Sequence, residues 1–518
     1  MNTQYEVVIG LEVHCQLKTT TKVWCSCDSD YDYKAPNTAT CPICSGQPGA
    51  LPKLNENVLN YAIKAGLALG CNINKESQFD RKNYFYPDSP KNYQITQFFK
   101  PYAENGKLEI KTNSGKESVV GIERIQIEED TAKNIHTDLE SLINFNRASV
   151  PLIEIISKPE IKSAEEAYAY LNTLKDRLKY TKVSDVSMEL GSLRCDANVS
   201  IRKKGETELG TRTETKNLNS FKAVVKAIEY ETSRQIEVVE AGGRIVQETR
   251  LWDEETGVTK VMRNKEEAMD YRYFPDPDLP IVIISDERIE NMQNEMPEFA
   301  AKKVERFINE YKLNENEAIT LASEMELAEY YEAVVKESNE PKLSANWVLT
   351  EILKVLKDKN IGIDKFVVAP QNIAKLIKLI TSNVISSKIA KEVFEKHPDM
   401  VIKLNDISVF MANWDTKVEN VYKIQKILNI GFDSMVFLDD NPFESMFSDA
   451  RFNDALGPMR ILRNFIAHGS QESLQKYCKL CNENTFIEPF QYLLKKNKTT
   501  GISNYTNYVQ LIETHCSL

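Results

Sequence analysis

The sequence predicts an α+β protein in which a strand-rich cradle domain is followed by a helical domain and then by an atypical C-terminal tail. Three observations support this prediction. Alternating apolar and polar residues recur through the first 285 of the 518 residues, and apolar residues at helical spacing recur from 286 to about 397. From about residue 402 the pattern changes again, with one isolated strand-like run and then helices.

The first domain, residues 1–285, is predicted to be rich in strands because its residues alternate with a period of two. Apolar and polar side chains fall on opposite faces of three clear segments, Tyr5–Leu17, Arg194–Arg202 and Thr211–Asn217. A helix is predicted at Glu165–Lys179, where apolar residues return at helical spacing. The proline-rich stretch Phe274–Pro280 is predicted to close the domain.

The second domain, residues 286–397, is predicted to be helical. Its amphipathic segments are Met296–Tyr311, Glu315–Ser338, Asn346–Leu356, Asn372–Thr381 and Ile389–Glu395. Two further parts follow. Residues 402–450 contain the strand-like run, and residues 451–518 are predicted to form a helical tail.

Composition restricts the kind of protein without naming a function. The chain is 42% hydrophobic and 27% charged, as ordinary globular proteins are, and its net charge is −11. A protein with this negative net charge would not bind nucleic acid through an overall positive charge, although a local basic face could still bind RNA. No apolar run approaches the roughly 20 residues that cross a bilayer. The N-terminal sequence does not resemble a signal peptide, so we expect a cytoplasmic protein without a membrane partner.

Four cysteines form two close pairs, Cys25-Ser-Cys27 and Cys41-Pro-Ile-Cys44. This C-x-C-x13-C-x2-C spacing can supply four thiolates in tetrahedral geometry, which suits a structural zinc ion. The alternative is four unrelated thiols in a cysteine-rich turn. We therefore predict a zinc-binding insertion whose all-sulfur ligand set leaves no open position for catalysis.

A second candidate metal site begins in Gly10-Leu-Glu12-Val-His14-Cys-Gln16. Strict alternation puts Glu12, His14 and Gln16 on one face of a strand. A glutamate and a histidine side by side on a strand can both bind one cation, although a solvated strand face gives the same pattern.

Other segments also present polar side chains on one strand face. Arg194, Asp196, Asn198 and Ser200 share one face of a strand, and Arg212, Glu214 and Lys216 repeat the pattern. An acidic triplet, Glu128-Glu129-Asp130, follows the alternating stretch Ile122–Ile127. Several such strands describe a concave polar cradle better than they describe a surface.

The sequence contains no phosphate-binding glycine motif, neither G-x-x-x-x-G-K-[ST] nor G-x-G-x-x-G after a strand. If ATP binds, magnesium held by carboxylates and basic side chains must contact its phosphates. Arg81 and Lys82 are the candidates.

Many of these segments also match a known family in the right order. They include Val8-Ile-Gly-Leu-Glu-Val-His14, Gly46-Gln-Pro-Gly-Ala-Leu-Pro52, Gln94-Ile-Thr-Gln97, Val150-Pro-Leu-Ile-Glu154, Arg194-Cys-Asp-Ala-Asn-Val-Ser200, Lys216-Asn-Leu-Asn-Ser-Phe221 and Asp270-Tyr-Arg-Tyr-Phe-Pro275. On these motifs, residues from about 5 to 396 closely resemble the B subunit of the bacterial aspartyl/glutamyl-tRNA amidotransferase.

The resemblance implies an activity and its residues. ATP would phosphorylate the side-chain carboxylate of Glu-tRNA(Gln) or Asp-tRNA(Asn), and ammonia from the A subunit, an amidase, would then replace the phosphate. A small C subunit would join the two larger ones. The family's magnesium ligands would correspond to Glu12, His14 and Glu128, with Asp196 as a further catalytic candidate. Its zinc ligands would correspond to the four paired cysteines.

The chain departs from the family pattern mainly after residue 396. Residues 402–450 resemble a fragment of a haloacid-dehalogenase-like domain, with Asp439 and Asp440 at a strand end but no upstream nucleophilic aspartate. Residues 451–518 carry Arg463-Asn-Phe-Ile-Ala-His468, which is similar to the R-N-x-x-x-H motif of toxin-type helical RNases. An ordinary arginine and histidine on a helix would look the same.

Three functions are compatible with the sequence. The first is the ligase subunit, which the Glu12, His14 and Glu128 constellation favours. The second is a non-catalytic zinc-ribbon protein that binds RNA or assists assembly. The third is an RNase or phosphatase activity of the tail, or an inactive fusion product.

Overall fold

A nine-stranded sheet organises the N-terminal part of the protein. The computed structural model describes residues 4–137, 139–264, 271–383 and 385–396. Within these residues the strands are β1 Tyr5–Gln16, β2 Asn72–Ile73, β3 Glu76–Ser77, β4 Asp80–Asn83, β5 Tyr93–Thr96, β6 Ala103–Lys111, β7 Glu117–Glu129, β8 Lys133–His136, β9 Ser141–Asn144, β10 Pro151–Ser157, β11 Leu193–Lys203, β12 Thr213–Leu218, β13 Glu248–Asp253, β14 Val258–Asn264, β15 Phe274–Pro275 and β16 Val282–Ile283.

The helices lie partly between these strands and mostly after them. They are α1 Glu56–Ala68, α2 Ala164–Tyr180, α3 Phe221–Glu240, α4 Asp286–Asn294, α5 Ala300–Asn309, α6 Glu315–Leu321, α7 Met325–Ser338, α8 Pro341–Asn346, α9 Leu353–Lys359, α10 Pro370–Thr381 and α11 Ser387–Lys396. A π-helical segment, Trp347–Ile352, joins α8 to α9.

The strands of the large sheet follow the order β14-β13-β12-β11-β1-β10-β7-β6-β2. Every neighbouring pair is antiparallel except β12 and β13. Strand β1 lies at the centre, between β10 and β11, which both come much later in the chain. The central position of β1 makes it the reference for the residues on either side.

The two faces of this sheet differ in chemistry because side chains alternate along each strand. On one face, Leu11 and Val13 of β1 pack in a core with Ile63 of α1, Leu171 of α2 and Val224 of α3. Burial of each such aliphatic side chain contributes about 1.5–3 kcal/mol, so this face is held by the three helices.

The opposite face of the five central strands is polar, and we call it the polar face. Its residues are Gln126, Glu128, Glu154, Glu12, His14, Gln16, Arg194, Asp196, Asn198, Glu214 and Lys216. Three of the strands, β1, β11 and β12, correspond to the segments predicted from alternation.

Serine caps fix where the two long helices behind the sheet begin. The Ser163 side chain accepts a hydrogen bond from the Glu166 amide at the start of α2, and Ser220 accepts one from Ala223 at the start of α3. Such caps are worth about 1 kcal/mol each. Helix α2 corresponds to the helix predicted at Glu165–Lys179.

From Asp286 onward the described chain is helical, which confirms the predicted mixed class of a sheet-rich part followed by helices. The prediction of one helix over Glu315–Ser338 is wrong. Helix α6 ends at Leu321 and α7 begins at Met325, because Glu324 has an extended backbone with φ −134° and ψ 138°. The Tyr180 hydroxyl donates a 2.6 Å hydrogen bond to the Ala322 carbonyl at this break.

The described residues up to Ile377 belong to one compact unit, and a second unit begins at Lys378. No helix in the described part of the chain is both long and apolar enough to cross a bilayer. The tail predictions at 402–450 and 451–518, including Asp439, Asp440, Arg463 and His468, lie outside the described residues.

Candidate active site

Three ionisable side chains meet at the middle of the polar face. His14 on β1 lies opposite Glu154 on β10, and Glu128 on β7 lies next to this pair. The His14 Nε2 atom is 3.7 Å from Glu154 Oε1 and 4.0 Å from Glu128 Oε2. One ligand atom from each residue lies within 4.8 Å of the other two. We call these three residues the carboxylate cluster.

Hydrogen bonds hold both carboxylates in place. Glu128 accepts a 2.6 Å bond from the Thr96 hydroxyl and bonds from the amides of Gln94 and Gln126. The Gln126 amide also donates to Glu154. The side-chain oxygen of Gln126 is buried without a hydrogen-bond partner. This unpaired oxygen lies beside two carboxylates. A bound cation, or a water molecule on that cation, would give it the partner that a buried polar atom needs.

Burial perturbs the ionisation of the whole cluster. Burial raises the pKa of Glu128, and the Glu154 carboxylate raises it further, while Lys82 and His14 oppose the shift. Burial likewise raises the pKa of Glu154, and Lys82 opposes it. Burial lowers the pKa of His14, so its imidazole is neutral at pH 7 and can bind a cation through nitrogen. Two carboxylates and one neutral imidazole suit a divalent cation.

Lys82 supplies positive charge to this cluster. Burial acts to lower the pKa of Lys82, but the carboxylates of Glu128 and Glu154 outweigh it, so the pKa is raised and the ammonium stays charged. Arg81, the neighbouring residue on β4, is engaged elsewhere. Its guanidinium forms ion pairs of 2.8 Å with Asp276 and 2.7 Å with Asp278. Of the two predicted phosphate-binding residues, only Lys82 is brought to the cluster.

Glu12 and Asp196 lie opposite each other on β1 and β11, one step along the polar face from His14. Glu12 accepts a 2.9 Å hydrogen bond from the Asn198 side chain. Asp196 forms an ion pair with Lys216. The structure therefore brings His14 and Glu128 together with Glu154, and it places Glu12 beside this group and not inside it.

A cavity of about 200 Å³ opens next to Glu12. Its lining includes Asn198, Ser200 and Arg212, together with Gly10 and Gly210. A Cβ atom at Gly210 would lie 2.1 Å from the Ile201 carbonyl oxygen, so only glycine fits the backbone at this wall. The cavity extends the polar face away from the carboxylate cluster.

An ion-pair network closes the opposite end of the face. The buried carboxylate of Asp130 lies 2.7 Å from Arg194 and 3.7 Å from Arg147. Burial acts to raise the pKa of Asp130, but the two guanidinium groups outweigh it, and the pKa is lowered. Gln16 bridges Asp130 to the Tyr31 hydroxyl, which belongs to the cysteine-containing loop. The loop and the polar face are thus joined by hydrogen bonds.

The four predicted cysteines converge on one point. One sulfur atom from each lies within 4.8 Å of the others, in the set Cys25, Cys27, Cys41 and Cys44. The Cys44 sulfur accepts a hydrogen bond from the Cys41 amide at 3.2 Å. A hydrogen bond from Cys25 and the nearby Lys22 ammonium lower the pKa of Cys44. This donor set fits a closed tetrahedral zinc site, and the cluster is compatible with the predicted zinc.

Lys22 is the charge partner of this cysteine centre. Its side chain is fully buried, and its ammonium donates to the Ala39 carbonyl at 2.8 Å and to Cys44 Sγ at 3.6 Å. Four thiolates around Zn²⁺ carry a net charge of −2, so a buried cation beside them lowers the cost of burial.

Comparison with known proteins identifies the family. A family model described as "GatB/GatE catalytic domain" matches residues 7–290, and one described as "GatB domain" matches 329–403. Two curated relatives are named as the B subunit of aspartyl/glutamyl-tRNA(Asn/Gln) amidotransferase. The one from Fusobacterium nucleatum is 63% identical over 409 residues, which are 78% of this chain and 85% of the relative. The one from Carboxydothermus hydrogenoformans is 50% identical over 411 residues, 77% and 85% of the two chains.

The chain belongs to the family of amidotransferase B subunits. This membership confirms the resemblance inferred from the motifs. The two family models leave the residues after 403 unmatched.

Glu154 is the residue of the amidotransferase cluster that sequence reasoning did not single out. It lies in the apolar segment Pro151-Leu-Ile-Glu-Ile-Ile-Ser157, where a hydrophobic pattern predicts a core strand. One signal was available, because a lone glutamate among buried aliphatic residues needs a partner. The strand register that pairs it with His14 could not be read from the sequence.

Proposed function

We propose that this chain is the activating subunit of a tRNA-dependent amidotransferase. It would phosphorylate the side-chain carboxylate of Glu-tRNA(Gln) or Asp-tRNA(Asn) with ATP and prepare it for amidation. The observation that carries the proposal is the combination of His14, Glu128 and Glu154 with the charged Lys82 on one buried polar face. A protein that only binds or assembles has no use for two buried, mutually repelling carboxylates.

The reaction would proceed in two displacements. A substrate carboxylate oxygen attacks the γ-phosphorus of ATP, and ADP leaves with the bridging oxygen. Ammonia then attacks the carbonyl carbon of the acyl phosphate, inorganic phosphate leaves, and one proton is lost from the nitrogen. Phosphorylation is needed because a carboxylate is a poor electrophile, whereas phosphate is a good leaving group. Lys82 would stabilise negative charge on the transferred phosphoryl oxygens.

His14, Glu128 and Glu154 would hold the magnesium ion of this reaction. When bound, magnesium neutralises phosphate oxygens and orients them for in-line attack. The three side chains set where the phosphates lie, and burial keeps bulk water away from them. Glu12 and Asp196 lie one step further along the polar face. They would contact the nucleotide or the water bound to it, and we propose them as further catalytic residues.

ATP would enter through the cavity beside Glu12. The cavity offers a positive charge at Arg212 beside the carboxylates of Glu12 and Glu123, and hydrogen-bonding groups at Asn198 and Ser200. From there its phosphates would extend toward Lys82. Arg81 would not contact ATP, because its guanidinium is paired with Asp276 and Asp278.

The complete enzyme would be a heterotrimer. The A subunit, an amidase, would release ammonia from glutamine, and a small C subunit would join it to this chain. The four cysteines would hold one structural Zn²⁺, whose loop supports the polar face through Tyr31 and Gln16. Its tRNA substrates would place the enzyme in the cytoplasm.

The test compares Glu128→Ala with Glu109→Ala in the complex co-expressed with its partner subunits. Glu109 is an exposed glutamate on β6, outside the polar face, and serves as the matched control. We expect Glu128→Ala to reduce ATP hydrolysis dependent on Glu-tRNA by at least about a hundredfold, since a cation ligand is lost. Glutamine hydrolysis by the partner should continue. Full transamidation by Glu128→Ala would contradict the proposed function.

A further inference from the structure

A row of aromatic rings leads away from the carboxylate cluster toward solvent. The rings of Phe98 and Tyr273 are stacked, with centroids 4.1 Å apart and planes 10° from parallel. Tyr271 continues the row on one side, 5.9 Å from Tyr273, and Phe99 continues it on the other, 5.2 Å from Phe98. We call these four residues the aromatic row.

Two cations flank this row. The Lys82 ammonium lies 5.0 Å from the Tyr271 ring, and the Arg124 guanidinium lies 5.2 Å from the Phe98 ring. Lys82 also faces Glu128 and Glu154, so the inner end of the row begins at the carboxylate cluster. Burial raises the pKa of Tyr273 to about 12; Glu128 and Glu154 add to the shift, and Lys82 opposes it.

The outer end of the row is open to solvent. Phe98 is 36% exposed and Phe99 is 54% exposed, although each has a large apolar ring. Exposed rings next to cations match the binding of unpaired nucleic-acid bases, which stack on aromatic faces while their phosphates meet basic side chains.

We propose that the aromatic row binds the single-stranded 3′ end of the acceptor tRNA by stacking its terminal bases. This inference rests on the proposed function and names the residues that position its RNA substrate. The reacting carboxylate is joined to the terminal base by only one amino acid and one ribose. When the carboxylate lies at the cluster, the base must therefore lie close beside it, where Tyr271 and Tyr273 are found.

The row is longer than one nucleotide base requires. The adenine of ATP could cover one or two rings, but it would leave the others exposed. A tRNA end offers successive unpaired bases that can contact several rings of the row. The cavity beside Glu12, with Arg212, offers ATP a separate place on the polar face. The row is thus assigned to RNA and not to the adenine of ATP.

The decisive experiment is a double-mutant cycle between Tyr273 and the terminal nucleotide. The complex carries either Tyr273 or Tyr273→Leu, and the probe is deacylated tRNA(Gln), either complete or lacking its 3′-terminal adenosine. Stacking of one base on an aromatic ring strengthens binding, so the Kd for complete tRNA should rise about tenfold in Tyr273→Leu. The Kd for the shortened tRNA should be the same with both proteins.

Two control variants separate stacking from other effects. Tyr273→Phe keeps the ring and should bind like the wild type. Tyr33→Leu removes a tyrosine that is 96% exposed on the cysteine loop and should also leave the Kd unchanged. The KM for ATP should stay the same in Tyr273→Leu.

The outcomes are distinguishable. Equal weakening of both tRNAs by Tyr273→Leu, or no weakening of either, would overturn the assignment while leaving the proposed function intact. A raised KM for ATP with unchanged tRNA binding would assign the row to the nucleotide. Absence of Glu-tRNA-dependent ATP use in the wild-type complex would overturn the proposed function itself.

Discussion

Replacement of Glu154 by glutamine should stabilise the metal-free protein and weaken its response to magnesium. Glu154→Gln removes one of two carboxylates whose ligand atoms lie within 4.8 Å. At an effective dielectric constant of about 20, two unit charges at that separation repel each other by about 3 kcal/mol. Lys82 offsets part of this repulsion, so we expect a gain of about 1–2 kcal/mol in the free energy of unfolding. Glutamine keeps the oxygen that accepts from Gln126, so the packing is preserved.

The effect has a definite pH dependence. Burial raises the pKa values of Glu128 and Glu154 in the folded protein. A carboxyl group with a raised folded-state pKa is most favourable when protonated, below its unfolded pKa of about 4.3. Its contribution to stability is lost as the pH rises from there through the folded-state pKa. The advantage of Glu154→Gln over the wild type should therefore grow as the pH rises through that window.

Urea denaturation at several pH values, with and without magnesium, measures these quantities. Magnesium should stabilise the wild type, because it binds only the folded cluster, and it should stabilise Glu154→Gln much less. The order of stability should thus reverse when magnesium is added. Equal stability of the two proteins at every pH, together with an equal magnesium response, would refute the reasoning.

Two further changes test other parts of the structure. Cys41→Ser should abolish the binding of about one equivalent of zinc, measured by metal analysis, and should lower thermal stability, because metal-binding energy is folding energy; a stable, metal-free wild type would contradict this. Ser149→Ala should cost about 2 kcal/mol in urea denaturation, because the buried Ser149 hydroxyl donates to Glu129 at 2.6 Å. Ser149→Gly should cost about 1 kcal/mol less than Ser149→Ala, because residue 149 has a φ of 66°, a backbone conformation that glycine adopts without strain. A glycine variant less stable than the alanine variant would contradict this prediction.

Strand periodicity predicted which side chains share a face, but not which of them meet. Alternation along Tyr5–Leu17 correctly grouped Glu12, His14 and Gln16, because a strand turns successive side chains to opposite faces whatever its neighbours are. The partner of His14 depends on the register between β1 and β10, which long-range packing sets. Glu154 was missed for this reason.

The same rule of alternation could have separated Arg81 from Lys82. Both were candidates for phosphate binding, yet neighbouring residues of one strand cannot face the same way. Only the ion pairs with Asp276 and Asp278 reveal which of the two points away from the cluster. The cysteine spacing, in contrast, correctly predicted which sulfur atoms come together, because a short loop holds the two cysteines of each pair close to each other.

The helical part shows a different limit of sequence reasoning. The segment Glu315–Ser338 contains neither glycine nor proline, so periodicity alone predicted one helix. The chain breaks at Glu324, where tertiary contacts such as the Tyr180 hydrogen bond to Ala322 outweigh local preference. Sequence patterns report local preference and cannot supply the contacts that override it.

The central position of β1 has a consequence during synthesis on the ribosome. Tyr5 of β1 pairs with Lys203 of β11, so one edge of the first strand stays unpaired until β11 has been made. At about 5–20 residues per second, the nascent chain waits roughly 10–40 s for β11 after β1 has been made. Both hydrogen-bonding edges of β1 are open to other chains until β10 has been made, and the edge that β11 covers stays open for the whole interval. The earliest folding intermediates are thus natural clients for chaperones that bind nascent chains.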